Sequence, residues 1–206
     1  MYYYRTILVT LCIFVNTLLS AQQNDLRLVN VKTDIYEITY SQTYQQPINI
    51  IYSVTCSSTD VTYSRNGLSF KRVDSIKTST PSDYRDNVWD KGHMVPAAAF
   101  SCKEDWLKST FSYVNCALQH QNLNRGAWAT LEQFERDLAT IYGPINVKID
   151  VEFSNQWTTN SDPARIPSKF IKTITWDSDG QTKTIMFNFP NNDTGGRTFW
   201  AFKLNN

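Results

Sequence analysis

Apolar residues recur along this chain with two different periods. Between residues 121 and 140, Leu123, Ala127, Leu131, Phe134 and Leu138 follow the i, i+4, i+8, i+11, i+15 spacing that lays one apolar stripe along an amphipathic helix. Gly143-Pro144 stops it, since proline cannot continue a helix and glycine tolerates the reversed backbone of its end. Further on the period drops to two. Residues 145–153, 170–176 and 182–189 alternate apolar and polar side chains as half-buried strands do, with turns expected at Asp179-Gly180 and Gly195-Gly196. Upstream, the aromatic and β-branched content from Phe111 to Ala117 reads as another strand, after a short helix for which Ser101-Cys102-Lys103-Glu104 offers a capping box. The pattern predicts an α+β protein with a central antiparallel β-sheet and few flanking helices.

Residues 1–21 depart from this pattern. A lone Arg5, an apolar run from Ile7 to Leu19 and the small residues Ser20-Ala21 have the layout of a cleavable signal peptide. The run is short against the roughly 20 residues of a membrane span and is interrupted by Asn16 and Thr17, so cleavage near Gln22 is expected rather than anchoring. The expected product is secreted, periplasmic or extracellular, with no membrane association after cleavage. Residues 22–206 contain no repeat, low-complexity tract or long linker and suffice for one core. Lys and Arg number 20 against 19 Asp and Glu, and loss of Arg5 leaves the two in balance. No global basic field exists to attract a polyanion. Any such binding needs a local groove, for which Arg85, Lys91, Lys103 and Arg125 are the nearest cations in sequence. Cys56, Cys102 and Cys116 remain once Cys12 leaves with the signal. In an oxidising compartment one disulfide and one buried thiol are expected, with Cys102 and Cys116 the favoured pair because they are near in sequence. Zinc finds no support, because neither a Cys-x-x-Cys nor a paired-His spacing occurs.

The chemistry concentrates in two segments. The first is Asp90-Lys91-Gly92-His93-Met94-Val95-Pro96-Ala97-Ala98, holding one of the two histidines; the second runs from Gln119 through Asn124-Arg125-Gly126-Ala127-Trp128 to Leu131-Glu132. In this register they resemble the signatures of the DNA/RNA non-specific endonucleases, the sugar-non-specific, endonuclease G-like family with a ββα-metal active site. That family usually shows Asp-Arg-Gly-His with a Pro-Ala pair, then Asn, Trp and Leu-Glu at the same spacing. The resemblance extends from about residue 33 to the end. Tyr36 to Ser41 with Pro47 to Thr55 matches an opening hairpin, Ser82-Asp83-Tyr84-Arg85 a lead-in to the histidine, and Tyr142-Gly143-Pro144, Arg165 to Phe170 and Phe189-Pro190-Asn191 later segments. Lys91 stands where the family usually has arginine, and Leu118 where proline is common.

The residue types suit the implied chemistry. Phosphodiester hydrolysis needs a base near neutrality, a role that fits His93. It also needs a hard cation bound through oxygen, which Asn124 and Glu132 can offer. Eight positions separate these two, so on a regular helix they share one side within about 80° but stand about 12 Å apart along the axis. Both cannot ligate one small ion directly. The resemblance implies Asn124 as the protein ligand of Mg²⁺, with Mn²⁺ able to substitute, and Glu132 acting through a metal-bound water. It places Asn115 beside the site as a supporting hydrogen-bonding residue. His120 has no such support and reads as a surface or loop residue. Two function classes follow: a metal-dependent endonuclease cutting DNA and RNA without base preference, with Lys91, Arg125 and Arg85 touching substrate, or a catalytically silent nucleic-acid or partner-binding protein on the same fold.

Overall fold

The computed structural model describes residues 27–57 and 60–205, so the expected signal segment lies outside the described residues. Its main sheet has six strands in the order β1-β2-β3-β6-β7-β8: β1 Leu28–Lys32, β2 Tyr36–Ser41, β3 Gln46–Val54, β6 Ile145–Trp157, β7 Arg165–Ser178 and β8 Gln181–Pro190. Every pairing in it is antiparallel. The period-two stretches became β6, β7 and β8, each longer than the alternation alone indicated. Asp179 and Gly180, with φ of 54° and 70°, form the tight reversal between β7 and β8. Positive φ at both centres of a two-residue loop is the geometry whose twist matches its flanking strands.

A second ribbon pairs β4 (Trp89–His93) antiparallel with β5 (Cys116–His120), setting His93 opposite Cys116. Buried side chains fasten this ribbon to the main sheet. Gln46 Oε1 accepts from Leu118 N at 3.0 Å, and Asn191 donates to the carbonyls of Leu118 and Pro167 at 2.9 and 2.8 Å. Between β4 and β5 lies a short helix, α1 (Glu104–Thr110). After β5 comes a turn at Gln121–Leu123, a π-helical segment at Asn124–Trp128, and then the long helix α2 (Ala129–Tyr142). Gly143, with φ of 86°, ends α2 as the sequence suggests.

Helix α2 lies across one face of the main sheet and closes the core. Leu131, Leu138 and Ala139 face inward, and Trp128 packs fully buried against Phe170 and Phe189 at ring separations of 5.5 and 5.6 Å. One charge pair sits inside this apolar interface. Lys172 of β7 donates to Glu135 of α2 at 2.6 Å with both side chains fully buried, and Tyr52 of β3 donates to the second carboxylate oxygen at 2.8 Å. The ammonium also lies 4.0 Å from the centre of the Trp128 ring. The helix is therefore fixed to two strands at one point, where losing either partner would strand a charge in the core.

Four expectations give way here. The helix over 121–140 is not continuous: Gly126, at φ −109° and ψ −108°, leaves helical geometry and widens the turn around it. The strand expected at Phe111 to Ala117 starts only at Cys116, since Tyr113–Asn115 form a 3₁₀ turn whose Tyr113 and Val114 are buried in the core rather than in a pleat. No capping box forms before α1; Lys103 occupies the cap position and the Ser101 hydroxyl donates instead to the Ala98 carbonyl. The disulfide joins Cys56 to Cys102, not Cys102 to Cys116. Cys116 opens β5 with its thiol buried beside the Tyr84 hydroxyl at 3.2 Å, in a separate part of the core from Cys102 despite nearness in sequence.

Because Glu135 and Lys172 neutralise each other without water, Lys172→Met is expected to cost about 3–5 kcal/mol, the range for breaking a buried pair on one side. The urea midpoint measures it. The double variant Glu135→Leu with Lys172→Met should recover most of the loss, because it removes both charges. A single variant with the parental midpoint would show that the pair does not hold α2 to the sheet.

Candidate active site

Strand β4 is the platform. Side chains alternate along it, so Lys91 and His93 share one face while Asp90 and Gly92 take the other. Gly92 is obligatory: a Cβ there would overlap the fully buried Gln119 side chain of the paired strand. The ribbon can close this tightly only with glycine beside the histidine.

His93 stands at the end of β4, its ring 4.5 Å from that of Phe70 and 4.8 Å from that of Phe111. The residue keeps some exposed surface, but Nε2 is covered and has no hydrogen-bond partner among the described residues. Burial, aided by the positive charge of Arg65, lowers its pKa to about 3. The imidazole is thus neutral at physiological pH, with an unspent nitrogen inside the site. Buried nitrogens of this kind are normally satisfied, so Nε2 stands out as a polar atom that the described residues leave unpaired.

Behind the histidine, Asn115 is fully buried and acts as a clamp. Its Oδ1 accepts from Val95 N at 2.8 Å, and its Nδ2 donates to the carbonyls of Val95 and Thr110 at 3.0 and 2.9 Å. Its own carbonyl accepts from Met94 N at 3.0 Å. Its amide is committed to the backbone that leaves β4 and to the end of α1, with both N–H donors used. It shapes the position of His93 from the turn before β5.

On the other face Asp90 reaches the π-helical segment. Its Oδ2 accepts from Asn124 Nδ2 at 2.9 Å and from Arg125 Nε at 2.8 Å, while Oδ1 accepts from the terminal nitrogen of Arg125 at 2.6 Å. Burial alone would raise this carboxyl, but the hydrogen bonds from Arg125 and Asn124 and the Arg125 charge outweigh it and hold the group below the usual carboxylate range. The consequence for Asn124 is directional. A carboxylate can only accept, so it must face the amide NH₂ and turn the carbonyl oxygen away. No hydrogen bond among the described residues ends on that oxygen. Sequence reasoning missed Asp90, although its place in the first segment was the available signal; a carboxylate three residues before His93 needed only a donor to answer it.

Glu132 lies on α2, half-buried at the edge of the core as its spacing from the apolar stripe suggests. Burial raises its carboxyl to about 7, against the pull of the Lys172 charge and with the added push of Glu135. Its separation from Asn124 is not that of a regular helix, because the π-helical turn lies between them. π-bulges recur at functional sites because the extra residue re-aims the side chains on either side.

The cations divide. Lys91 lies on the face of His93, with its ammonium 5.8 and 5.6 Å from the ring centres of Tyr84 and Tyr113, and Tyr113 in turn packs on Phe70. Arg125 keeps 67% of its side chain exposed despite the paired contact to Asp90. Arg85 is exposed before the far end of β4 and takes no part in the hydrogen bonds that join Asp90, Asn124 and Arg125. Lys103 lies over the Trp106 ring at 3.8 Å, on α1. His120 ends β5 and accepts from Asn122 N through Nδ1 at 3.2 Å, capping the turn that leads to Asn124. Arg65, which no spacing singled out, contributes charge near His93 from the segment that also brings Phe70 over it.

Comparison with known proteins gives this arrangement a lineage. Mitochondrial endonuclease G of Bos taurus is 33% identical over 86 residues, which is 40% of this chain and 29% of the bovine protein. A nuclease of Serratia marcescens is 27% identical over 131 residues, covering 57% of this chain and 48% of that protein. The chain thus spans about half or less of these relatives. Among solved structures, endonuclease G in complex with its inhibitor matches with a TM-score of 0.75 at 23% identity, over 85% of this chain and 80% of the other, which shows the fold. The model of the DNA/RNA non-specific endonucleases matches residues 20–206, both signature segments included, and the chain belongs to that family.

Proposed function

We propose that this protein is an exported, metal-dependent endonuclease that hydrolyses phosphodiester bonds of DNA and RNA without base selection. One observation carries the reading: a neutral, part-buried His93 with an unpartnered Nε2 on the same strand as Asp90, which binds the amide nitrogen of Asn124 and leaves its carbonyl oxygen free of that contact. The residues fit a hard cation. Among the described residues the one close group of three potential His, Cys, Asp or Glu ligands is Cys56, Asp60 and Cys102, whose sulfurs are spent in the disulfide. What the signature segments offer is oxygen: the Asn124 amide directly and the Glu132 carboxylate through water. Such a sparse set suits Mg²⁺, which dehydrates reluctantly and keeps several waters, and Mn²⁺ as its substitute. When bound, the cation supplies neutralisation of the charge that grows on the phosphoryl oxygens and the leaving group.

The remaining work belongs to side chains. His93 accepts the proton of the attacking water on its imidazole, which its neutral state leaves able to do so. Asn115 keeps it in place through the backbone of Val95. Lys91 attracts the phosphodiester electrostatically from the same face; as a compact, hydrated ammonium it cannot grip two oxygens as the family's usual arginine would. Arg125, fixed by Asp90, offers the substrate its remaining N–H donors. Contacts to phosphate rather than to base edges explain indifference to sequence. Export rests on the layout of residues 1–21, and the Cys56–Cys102 disulfide is consistent with an oxidising compartment.

Purified mature protein is expected to cut both plasmid DNA and RNA with Mg²⁺ and neither with EDTA. His93→Ala should lower kcat by about 10²–10⁴-fold, the range for losing a general base, with the fold intact by circular dichroism. Robust cleavage in EDTA would sink the metal mechanism, and near-normal turnover by the variant would remove His93 from it. Inactivity of the parent with Mg²⁺, Mn²⁺ and Ca²⁺ alike would favour the silent binding protein.

Lys91 provides a separate test. Lys91→Ala should reduce kcat/KM and flatten its dependence on salt, whereas Lys91→Arg should preserve or improve kcat/KM by restoring a two-pronged donor. Unchanged activity and salt response in the alanine variant would make Lys91 a bystander.

A further inference from the structure

A groove of about 600 Å³ opens beside Asn124, between the π-helical segment and the chain that follows β8. Its lining includes Asn122, Arg125 and Gly126, which flank Asn124 in sequence, and Trp200. That size lies within the range of small-molecule sites. The groove is built, not a gap between loose ends. Thr194, almost fully buried, donates from its hydroxyl to the Asn122 carbonyl at 3.4 Å, and Arg197 Nε donates to the Thr194 carbonyl at 3.0 Å. Gly126 contributes width: a Cβ there would find only the Thr194 hydroxyl, 3.9 Å away.

Trp200 is the unusual wall. It is 49% exposed, yet aromatic neighbours hold it, with ring centres 4.8 Å to Phe199, 5.4 Å to Phe134 and 6.1 Å to Phe187. An indole braced from below with half its surface open is a stacking platform. Arg125, in the same lining, gives Asp90 two donors, through Nε and one terminal nitrogen, and keeps the rest of its guanidinium in solvent. A cation next to Asn124 in sequence and a flat aromatic surface in one groove match the phosphate and the base of a polynucleotide. Asp193, also on the wall, has a carboxylate oxygen accepting from Gly195 N at 2.8 Å, and its charge keeps backbone phosphates away from that side.

We propose that this groove is a nucleobase subsite, in which Trp200 stacks the base of a nucleotide adjoining the scissile phosphate while Arg125 holds the intervening phosphate. The proposal rests on the nuclease reading for the position of that phosphate. It names the substrate feature the enzyme grips: an unstacked base, as found in single strands and frayed or open duplexes. Stacking suits an enzyme without base preference, since every base presents a π-face.

The test measures binding without turnover. A fluorescein-labelled twelve-residue oligothymidylate is titrated with full-length mature protein in EDTA at low salt, and anisotropy gives Kd. Trp200→Ala is expected to raise Kd about tenfold, within the range for loss of one stacked base, and Trp200→Phe to restore most of the affinity. A matched strand of abasic residues should bind the parent about tenfold more weakly than oligothymidylate, and should bind Trp200→Ala no more weakly than oligothymidylate does. That coupling separates stacking from a general loss of structure. Equal Kd for parent and Trp200→Ala, equal affinity of the parent for the two strands, or no binding by the parent would overturn the subsite. Failure of the nuclease reading shows instead as absence of cleavage with Mg²⁺, a result the binding titration does not depend on.

Discussion

One carboxylate sets the geometry on which the site depends. Asp90 is the point where the β4–β5 ribbon, carrying His93, is tied to the π-helical segment, carrying Asn124. Its two oxygens accept three hydrogen bonds from Asn124 and Arg125, and this saturation outweighs the cost of its partial burial. The tie fixes position and also chemistry. Since an ionised carboxylate offers only lone pairs, it sorts the two ends of the Asn124 amide, binding the donor end and turning the acceptor end away from itself. An amide left to itself could present either end. Fixing a ligand's orientation through a hydrogen-bonded neighbour is how metal sites with few protein ligands keep their affinity.

The rest of the fold keeps those two elements where Asp90 can join them. On one side, Gln46 and Asn191 fasten the ribbon to the main sheet by hydrogen bonds that water does not reach. On the other, Glu135 anchors α2 to Lys172 and Tyr52 from inside the core. A buried pair of this kind adds little net stability over an apolar replacement, but it penalises any seating of the helix that separates the charges. It also lies one turn from Glu132, whose carboxyl titrates within the fields of Lys172 and Glu135. The group that positions the helix thus bears on the acidity of a residue proposed to act at the site.

Much of the architecture was legible from periodicity. The alternating stretches after Gly143-Pro144 became β6 to β8, and the turn at Asp179-Gly180 followed from residue types that tolerate positive φ. Asn124, Glu132 and His93 were singled out because their spacing matched a known pair of segments. What failed to show was everything that depends on long-range partners. Asp90 looks like an ordinary strand-edge charge until Asn124 and Arg125, more than thirty positions away, are brought to it. The break at Gly126 is silent because Leu123, Ala127 and Leu131 remain apolar across a π-helical turn, so the stripe persists while the geometry changes. Phe111 to Ala117 has strand composition, but Phe111 is buried from the end of α1 and Tyr113 from a 3₁₀ turn. Cysteine pairing followed distance in space: the chain between Cys102 and Cys116 folds through α1 and turns Cys116 toward Tyr84.

The proposed site depends on whether Asn124, oriented by Asp90, holds a divalent cation. Titration of Mn²⁺ into the mature protein, followed by the loss of the free-ion electron paramagnetic resonance signal, measures that directly. The parent should bind one Mn²⁺ that Mg²⁺ displaces, Asn124→Ala should weaken binding by at least tenfold, and Asp90→Ala should weaken it by about 10–100-fold, as expected for an orienting neighbour. Undiminished Mn²⁺ binding by Asn124→Ala would contradict the assignment and move the metal elsewhere.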